Sequence, residues 1–82
     1  MKYTPKPEDI EKLENICRYH PVQGDDQAKR YEANRAAAEE FGKVLLKNCP
    51  PSRELSIAIN HLQAALMFSN GAIAIHEAGE QP

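Results

Sequence analysis

The sequence contains few of the residues that give small domains extra stability. Only two cysteines and no tryptophan occur among its 82 residues, and aromatic side chains make up 6% of the chain. The first ten residues hold charges and two prolines, where a secretion signal would need an apolar stretch. We therefore expect a cytoplasmic protein with free thiols. No segment approaches the roughly 20 apolar residues of a membrane span.

Neither sign of charge is in strong surplus. The chain carries 10 basic and 12 acidic residues, for a formal net charge of −2. A protein that coats DNA or RNA needs a large basic surplus to displace counterions from the phosphates, so we exclude a general nucleic-acid-coating role. The balance still allows a local basic pocket for a small phosphorylated ligand.

Apolar spacing and helix-breaking residues predict an all-α fold, with a short N-terminal helix followed by a long antiparallel helical hairpin. We expect helices at about 7–18, 27–47 and 52–76 in a single domain over 1–82, with a frayed tail at 77–82. Pro21 ends the first helix, because proline disfavours helical geometry in the residue before it, and Pro50-Pro51 ends the second. Asp26 and Ser52 are the expected N-caps of the second and third helices.

Both hairpin helices carry predicted inward seams. These comprise Tyr31, Asn34, Ala38, Phe41 and Leu45 on the second helix, and Leu55, Ile59, Leu62, Leu66, Ser69 and Ile73 on the third. The third helix has further apolar residues around its circumference, more than one antiparallel partner can cover. Because so short a chain buries little surface alone, we expect other subunits to supply the cover in a homo-oligomer. Gly42 indicates close approach of another backbone.

Sequence motifs of catalysis are absent. The chain has no glycine-rich phosphate loop, no nucleophile elbow and no pair of metal-binding histidines on one helical face. Its cysteines and histidines follow no compact zinc-binding spacing. We therefore predict a protein that is not an enzyme and that needs neither a metal nor a cofactor.

Aromatic and basic residues are concentrated around the first interhelical loop. They are Arg18, Tyr19, His20, Lys29, Arg30, Tyr31 and Arg35. Aromatic rings can stack on nucleobases, and arginine or lysine can hold phosphates. The same side chains also have ordinary structural uses, since the tyrosines can pack on the hairpin and the charges can remain solvated. The residues alone leave both interpretations open.

The order of these residues resembles a known family of small phage proteins, the anti-CBASS cyclic-nucleotide sponges. The resemblance covers about Arg18 to Glu77 and is most specific in the C-P-x-S-R-E run at 49–54 and the M-x-x-N-x-A-I-A run at 67–74. Other matching positions are Tyr19-His20-Pro21, Arg30-Tyr31-Glu32, Arg35, Leu62 and Ala65.

The resemblance implies a homohexamer that sequesters cyclic dinucleotides such as cyclic GMP-AMP, and cyclic trinucleotides, without transforming them. Such a protein would act in the cytoplasm of an infected bacterium and starve the effector of an antiviral defence. In the family, a tyrosine near the end of the first helix lies against the base, and a basic residue early in the second meets the phosphate. These roles map onto Tyr19 and Arg35, with Arg30 as an alternative. His20, Ser52 and Arg53 also match the family pattern, although helix capping and helix-start roles are better supported for the last two.

One departure restricts the expected ligands. The family pattern has an arginine where this chain has Ile75, which puts a separate cyclic-trinucleotide site in doubt.

Two rival functions remain at this point. One is a helical adaptor that binds a partner protein through its apolar third helix, and the other is a phosphodiesterase that destroys such ligands.

Overall fold

The computed structural model describes residues 2–78, which form three α-helices. The helices are α1 (Pro7–Cys17), α2 (Gly24–Asn48) and α3 (Arg53–His76). Contacts between α2 and α3 pair the beginning of one helix with the end of the other, as in the hydrogen bond from Asn34 to Asn70. The predicted all-α fold, a short helix followed by an antiparallel hairpin, is confirmed.

The start of α3 follows the prediction closely. The Ser52 hydroxyl accepts a hydrogen bond from the backbone N–H of Leu55 at 3.1 Å, which is the geometry of an N-cap. The two prolines before it keep residues 50–52 out of the helix, and α2 ends at Asn48.

The start of α2 differs from the prediction. The helix begins at Gly24, three residues before the expected Gln27, and Asp26 is not its cap. Gly24 has a φ of +80°, a backbone conformation that glycine adopts without strain. The side chain of Gln27 reaches back and accepts a hydrogen bond from the Gln23 backbone N–H at 2.6 Å. This contact satisfies a backbone donor that the helix itself leaves unpaired.

The third helix ends at His76, as predicted, but the residue after it differs from the prediction. Glu77 was expected to fray, but its carboxylate binds the side chains of Arg30 and Gln27. Residues 79–82 of the predicted tail lie outside the described residues.

The hairpin has only a shallow core of its own. Among residues 2–78, no apolar side chain is buried, and the one buried residue is the polar Gln27. Phe41 was predicted to face inward, yet it is 53% exposed, while Phe68 is 78% exposed. The molecule measures 48 × 42 × 13 Å, so it is close to one helix thick. A single layer of helices cannot cover both of its faces.

Gly42 of α2 faces Leu62 of α3. A β-carbon at this position would come within 3.2 Å of Cδ2 of Leu62. The predicted close approach of another backbone is therefore wrong, because the neighbour of Gly42 is a side chain of α3.

One hydrogen bond joins α1 to the open end of the hairpin, where α2 begins and α3 ends, and a second joins the following linker to α1. The Asn15 amide Nδ2 donates to the backbone carbonyl of Ile75 at 3.1 Å. The His20 imidazole donates from Nε2 to the Asn15 carbonyl at 2.7 Å and so satisfies a carbonyl in the last turn of α1. These contacts place the linker between α1 and α2 beside the hairpin. Across the described range, none of the helices combines the length and apolar character of a transmembrane segment.

Candidate ligand-binding cleft

A cleft of about 430 Å³ lies at the open end of the hairpin, and we call it the open-end cleft. It is lined by His20 and Val22 of the linker, by Ala28, Tyr31, Glu32 and Arg35 of α2, and by Asn70, Gly71 and Ala74 of α3. Its volume falls within the range of roughly 300–1,000 Å³ that small-molecule pockets occupy. The cleft is shallow and largely open to solvent, so a second molecule can reach it.

Helical spacing explains why these side chains share one cleft. Residues 28, 31, 32 and 35 are separated by steps of three and four, which place them on one face of α2. Residues 70, 71 and 74 lie together on α3 by the same rule. The lining combines two aromatic rings, two opposite charges and an amide with small residues that leave the space open.

Arg35 is the cleft's cation. It is exposed, and none of the ion pairs found among residues 2–78 involves it. Its guanidinium can therefore offer paired N–H donors to a phosphate without first breaking an internal contact.

Arg30, the alternative phosphate-binding residue, lies outside the cleft. Its Nη1 donates to Glu77 Oε2 at 2.6 Å, its Nη2 to Glu77 Oε1 at 2.7 Å, and its Nε to Asp26 at 3.0 Å. The hydrogen bonds to Glu77 raise the pKa of Arg30 above its ordinary value, against a smaller opposing effect of burial. The same pairing, led by the hydrogen bond from Arg30, lowers the pKa of Glu77. Arg30 is thus already paired with two carboxylates.

Tyr19 and His20 lie in the linker, next to the cleft and within it respectively. His20 is a lining residue whose Nε2 is already used to cap α1. Tyr19 does not line the cleft of its own chain and is 84% exposed. Its ring is therefore available to stack on a ligand or to contact another copy of the chain.

Ser52 and Arg53 are not brought to this cleft. They begin α3 at the turn between α2 and α3, the opposite end of the hairpin. The Ser52 hydroxyl donates to the Pro50 carbonyl and accepts from Leu55, so its hydrogen-bonding capacity is used in the turn. Both observations favour structural roles for this part of the family pattern.

Two polar residues of the cleft were not singled out as binding residues by the sequence: Glu32 and Asn70. Asn70 accepts a hydrogen bond on Oδ1 from Asn34 Nδ2 at 3.0 Å. The available signal was the position of Asn34 on the predicted inward seam of α2 and of Asn70 in a largely apolar part of α3, where a polar group needs a partner. Glu32 lies in the Arg30-Tyr31-Glu32 stretch that matches the family pattern, but a glutamate on a helix is usually a solvated charge, so this position gave no indication of binding.

The cysteines and histidines form no common centre in the described part of the chain. Cys17 and Cys49 are both free thiols. No group of three or more histidine, cysteine, aspartate or glutamate residues within 2–78 is arranged to hold a metal ion.

Comparison with known proteins places the chain in a family. A family model described as "Acb2/Tad1, hairpin domain" matches residues 9–74, which include most of α1, all of α2 and nearly all of α3. The match covers every residue that lines the open-end cleft. No curated protein and no solved structure matches the chain.

Proposed function

This chain belongs to the Acb2/Tad1 hairpin-domain family, the family of anti-CBASS sponges, and on that premise we propose that it sequesters cyclic dinucleotides such as cyclic GMP-AMP. Sequestration is binding without a chemical step. The ligand would leave the protein unchanged, and the bacterial effector that depends on it would remain inactive. The place of action would be the cytoplasm of an infected bacterium.

The observation that carries the proposal is the guanidinium of Arg35 at the wall of the open-end cleft, which forms no ion pair within residues 2–78. A cyclic dinucleotide has two phosphates and two bases, so its binding needs cations and flat surfaces close together. Arg35 supplies the cation, while Tyr31 in the wall and the exposed Tyr19, which precedes the lining residue His20 in the chain, supply aromatic rings. Arg30, which is held by Glu77, is the weaker candidate for the phosphate.

A homo-oligomer would complete the site. A two-fold interface between copies presents each residue twice, which suits a ligand with approximate two-fold symmetry. Tyr19 projects from the linker with most of its surface exposed, so we place it against a base bound between copies. The exposed side chains Phe41, Met67 and Phe68 give such an assembly the apolar surface that it must bury. We propose a hexamer, as the family resemblance implies.

Cyclic trinucleotides are the weaker ligand class for this chain. The position at which the family pattern has an arginine is occupied by Ile75, which is partly buried and whose carbonyl accepts the hydrogen bond from Asn15. It supplies no positive charge to a third phosphate. We therefore limit the proposal to dinucleotides first.

Titration calorimetry against a panel of cyclic dinucleotides and trinucleotides tests the function. We expect heat of binding with at least one dinucleotide, and several charge-assisted and stacking contacts of about 1–3 kcal/mol each are enough for nanomolar affinity after entropy losses. Denaturing the complex should then release the ligand intact. Linear products would indicate a phosphodiesterase instead, and the absence of heat across the panel would contradict the proposal.

A second candidate function is that of an adaptor which binds another protein through α3. The exposed Met67 and Phe68 favour it, because an apolar surface of this kind suits a foreign partner as well as another copy. The two functions separate in the calorimetric panel, because an adaptor would not respond to cyclic dinucleotides.

A further inference from the structure

The open-end cleft contains a negative charge that phosphate binding alone does not explain. Glu32 lines the cleft one helical turn before Arg35, and no ion pair within residues 2–78 involves its carboxylate. A carboxylate near a phosphate is repelled by it, so a cleft that served only anions would be better without Glu32. Its presence instead suits a ligand that carries hydrogen-bond donors as well as phosphates.

Guanine has the donors that a carboxylate binds best. Its N1–H and its exocyclic amino group lie side by side on the Watson–Crick edge, so both oxygens of one carboxylate can accept from them at once. Adenine presents a ring nitrogen acceptor at the corresponding position, and that lone pair would face the carboxylate oxygen. A carboxylate therefore gains two charge-assisted hydrogen bonds with guanine, whereas with adenine two acceptors would face each other. This difference discriminates strongly between the two bases.

Asn70 on the opposite wall complements this contact. Asn70 lines the cleft, and its Oδ1 already accepts from Asn34, so the Nδ2 amide is the hydrogen-bond donor that its side chain has left to offer a ligand. A donor there suits the guanine O6, the acceptor next to N1–H. Glu32 and Asn70 thus provide both kinds of hydrogen-bonding group that the edge of guanine requires.

We propose that Glu32 selects guanine, so that the cleft prefers cyclic dinucleotides containing guanine over those containing only adenine. This inference rests on the proposed function, because it concerns the base of the ligand whose phosphate Arg35 holds. Arg35 contributes affinity for every cyclic dinucleotide, whereas Glu32 contributes only when the base offers paired donors. Loss of Arg35 should therefore weaken the binding of every cyclic dinucleotide, whereas loss of Glu32 should weaken only the binding of those that contain guanine.

The test compares cyclic di-GMP with cyclic di-AMP on the unmodified chain and on Glu32→Gln. Glutamine keeps the size of glutamate and its helix propensity, but it has one oxygen acceptor and a donor that opposes those of guanine. We expect Glu32→Gln to weaken cyclic di-GMP binding by about 10- to 100-fold, the range of one lost bidentate base contact, with cyclic di-AMP changing less than about threefold. The matched control is Glu40→Gln, which removes a charge from an exposed position of α2 outside the cleft and should leave both affinities unchanged.

The outcomes separate the inference from the function. If the unmodified chain binds both dinucleotides and Glu32→Gln changes both affinities equally, or neither, base selection by Glu32 is wrong while sequestration stands. If the unmodified chain binds no cyclic dinucleotide at all, the proposed function fails and the inference fails with it. Circular dichroism of Glu32→Gln checks that the helices are retained.

Discussion

The Arg30 guanidinium and the Glu77 carboxylate form a bidentate ion pair that joins α2 to the residue following α3. Its two hydrogen bonds measure 2.6 and 2.7 Å. Gln27, the one buried residue within 2–78, adds a hydrogen bond to the same carboxylate at 3.3 Å. Because the pair connects residues 47 positions apart, it holds together the two helices that form the walls of the open-end cleft.

Glu77→Gln should destabilise the protein at neutral pH but not at low pH. The pairing lowers the pKa of Glu77 from its ordinary value of 4.5, so the unfolded state binds more protons than the folded state between the two values. The stabilisation from Glu77 is therefore complete above pH 4.5 and is lost as the pH falls through the lower, folded-state pKa.

Thermal unfolding at neutral pH and in steps below pH 4.5 measures this difference. The control is Glu39→Gln, which removes an exposed pair with Lys43 within α2 and should have little effect at any pH. If the melting temperatures of Glu77→Gln and the unmodified protein differ equally in strong acid and at neutral pH, the charge of the Glu77 carboxylate is not the cause of the difference.

Gly71→Ala and Gly42→Ala should change stability in opposite directions. Replacing a helical glycine by alanine gains about 1 kcal/mol of helix propensity. At position 71 the new methyl group would lie 3.9 Å from Ile75, which is ordinary contact, so the gain should appear. At position 42 it would lie 3.2 Å from Leu62 Cδ2, which is tighter than ordinary contact, so the Leu62 side chain must shift by a few tenths of an ångström within the packed hairpin. Chemical denaturation of both variants measures the changes in the free energy of unfolding. A stabilised Gly42→Ala would contradict the close packing at this position.

Arg35→Glu should abolish cyclic dinucleotide binding, because it places a carboxylate where a phosphate is held. Arg35→Ala should weaken it by about 10- to 100-fold, the loss of one hydrogen-bonded charge contact of about 1.5–3 kcal/mol. The matched control is Arg53→Glu, the same charge reversal at the other end of the hairpin. Calorimetry on the three variants locates the site, and loss of binding in Arg53→Glu alone would move it to the turn.

Tyr19→Ala should weaken dinucleotide binding by about 5- to 100-fold through lost stacking, without changing the mass of the oligomer. The ring is 84% exposed in the chain, so its removal sacrifices little packing there. Tyr3→Ala is the control, because Tyr3 is similarly exposed at 77% and lies outside the cleft. Unchanged affinity, or an assembly that falls apart, would assign Tyr19 to packing instead.

The sequence predicted those parts of the fold that depend on neighbouring residues. The cap at Ser52 and the ends of the helices near the prolines are local effects, and the structure has them close to where they were expected. The beginning of α2 was placed too late because a glycine with positive φ can directly precede helical residues, which the aspartate pattern did not reveal. Phe41 was placed inward because helical spacing identifies an apolar face without showing which molecule covers it.

The candidate site was predictable only in part. Arg35 and His20 could be proposed from the loop and the resemblance, and the structure places both in one cleft. The pairing of Arg30 with Glu77 and the position of Asn70 opposite Glu32 depend on contacts between distant parts of the chain. Such contacts are set by how α3 packs on α2, which no local pattern specifies.

Native mass spectrometry of the protein, alone and with a mixture of cyclic dinucleotides, tests sequestration most directly. It reports subunit number, ligand mass and stoichiometry in one measurement. We predict a homo-oligomer, six subunits by the family resemblance, whose mass rises by whole numbers of intact cyclic dinucleotides. An oligomer whose mass is unchanged at saturating ligand, or one that carries only linear products, would contradict the account.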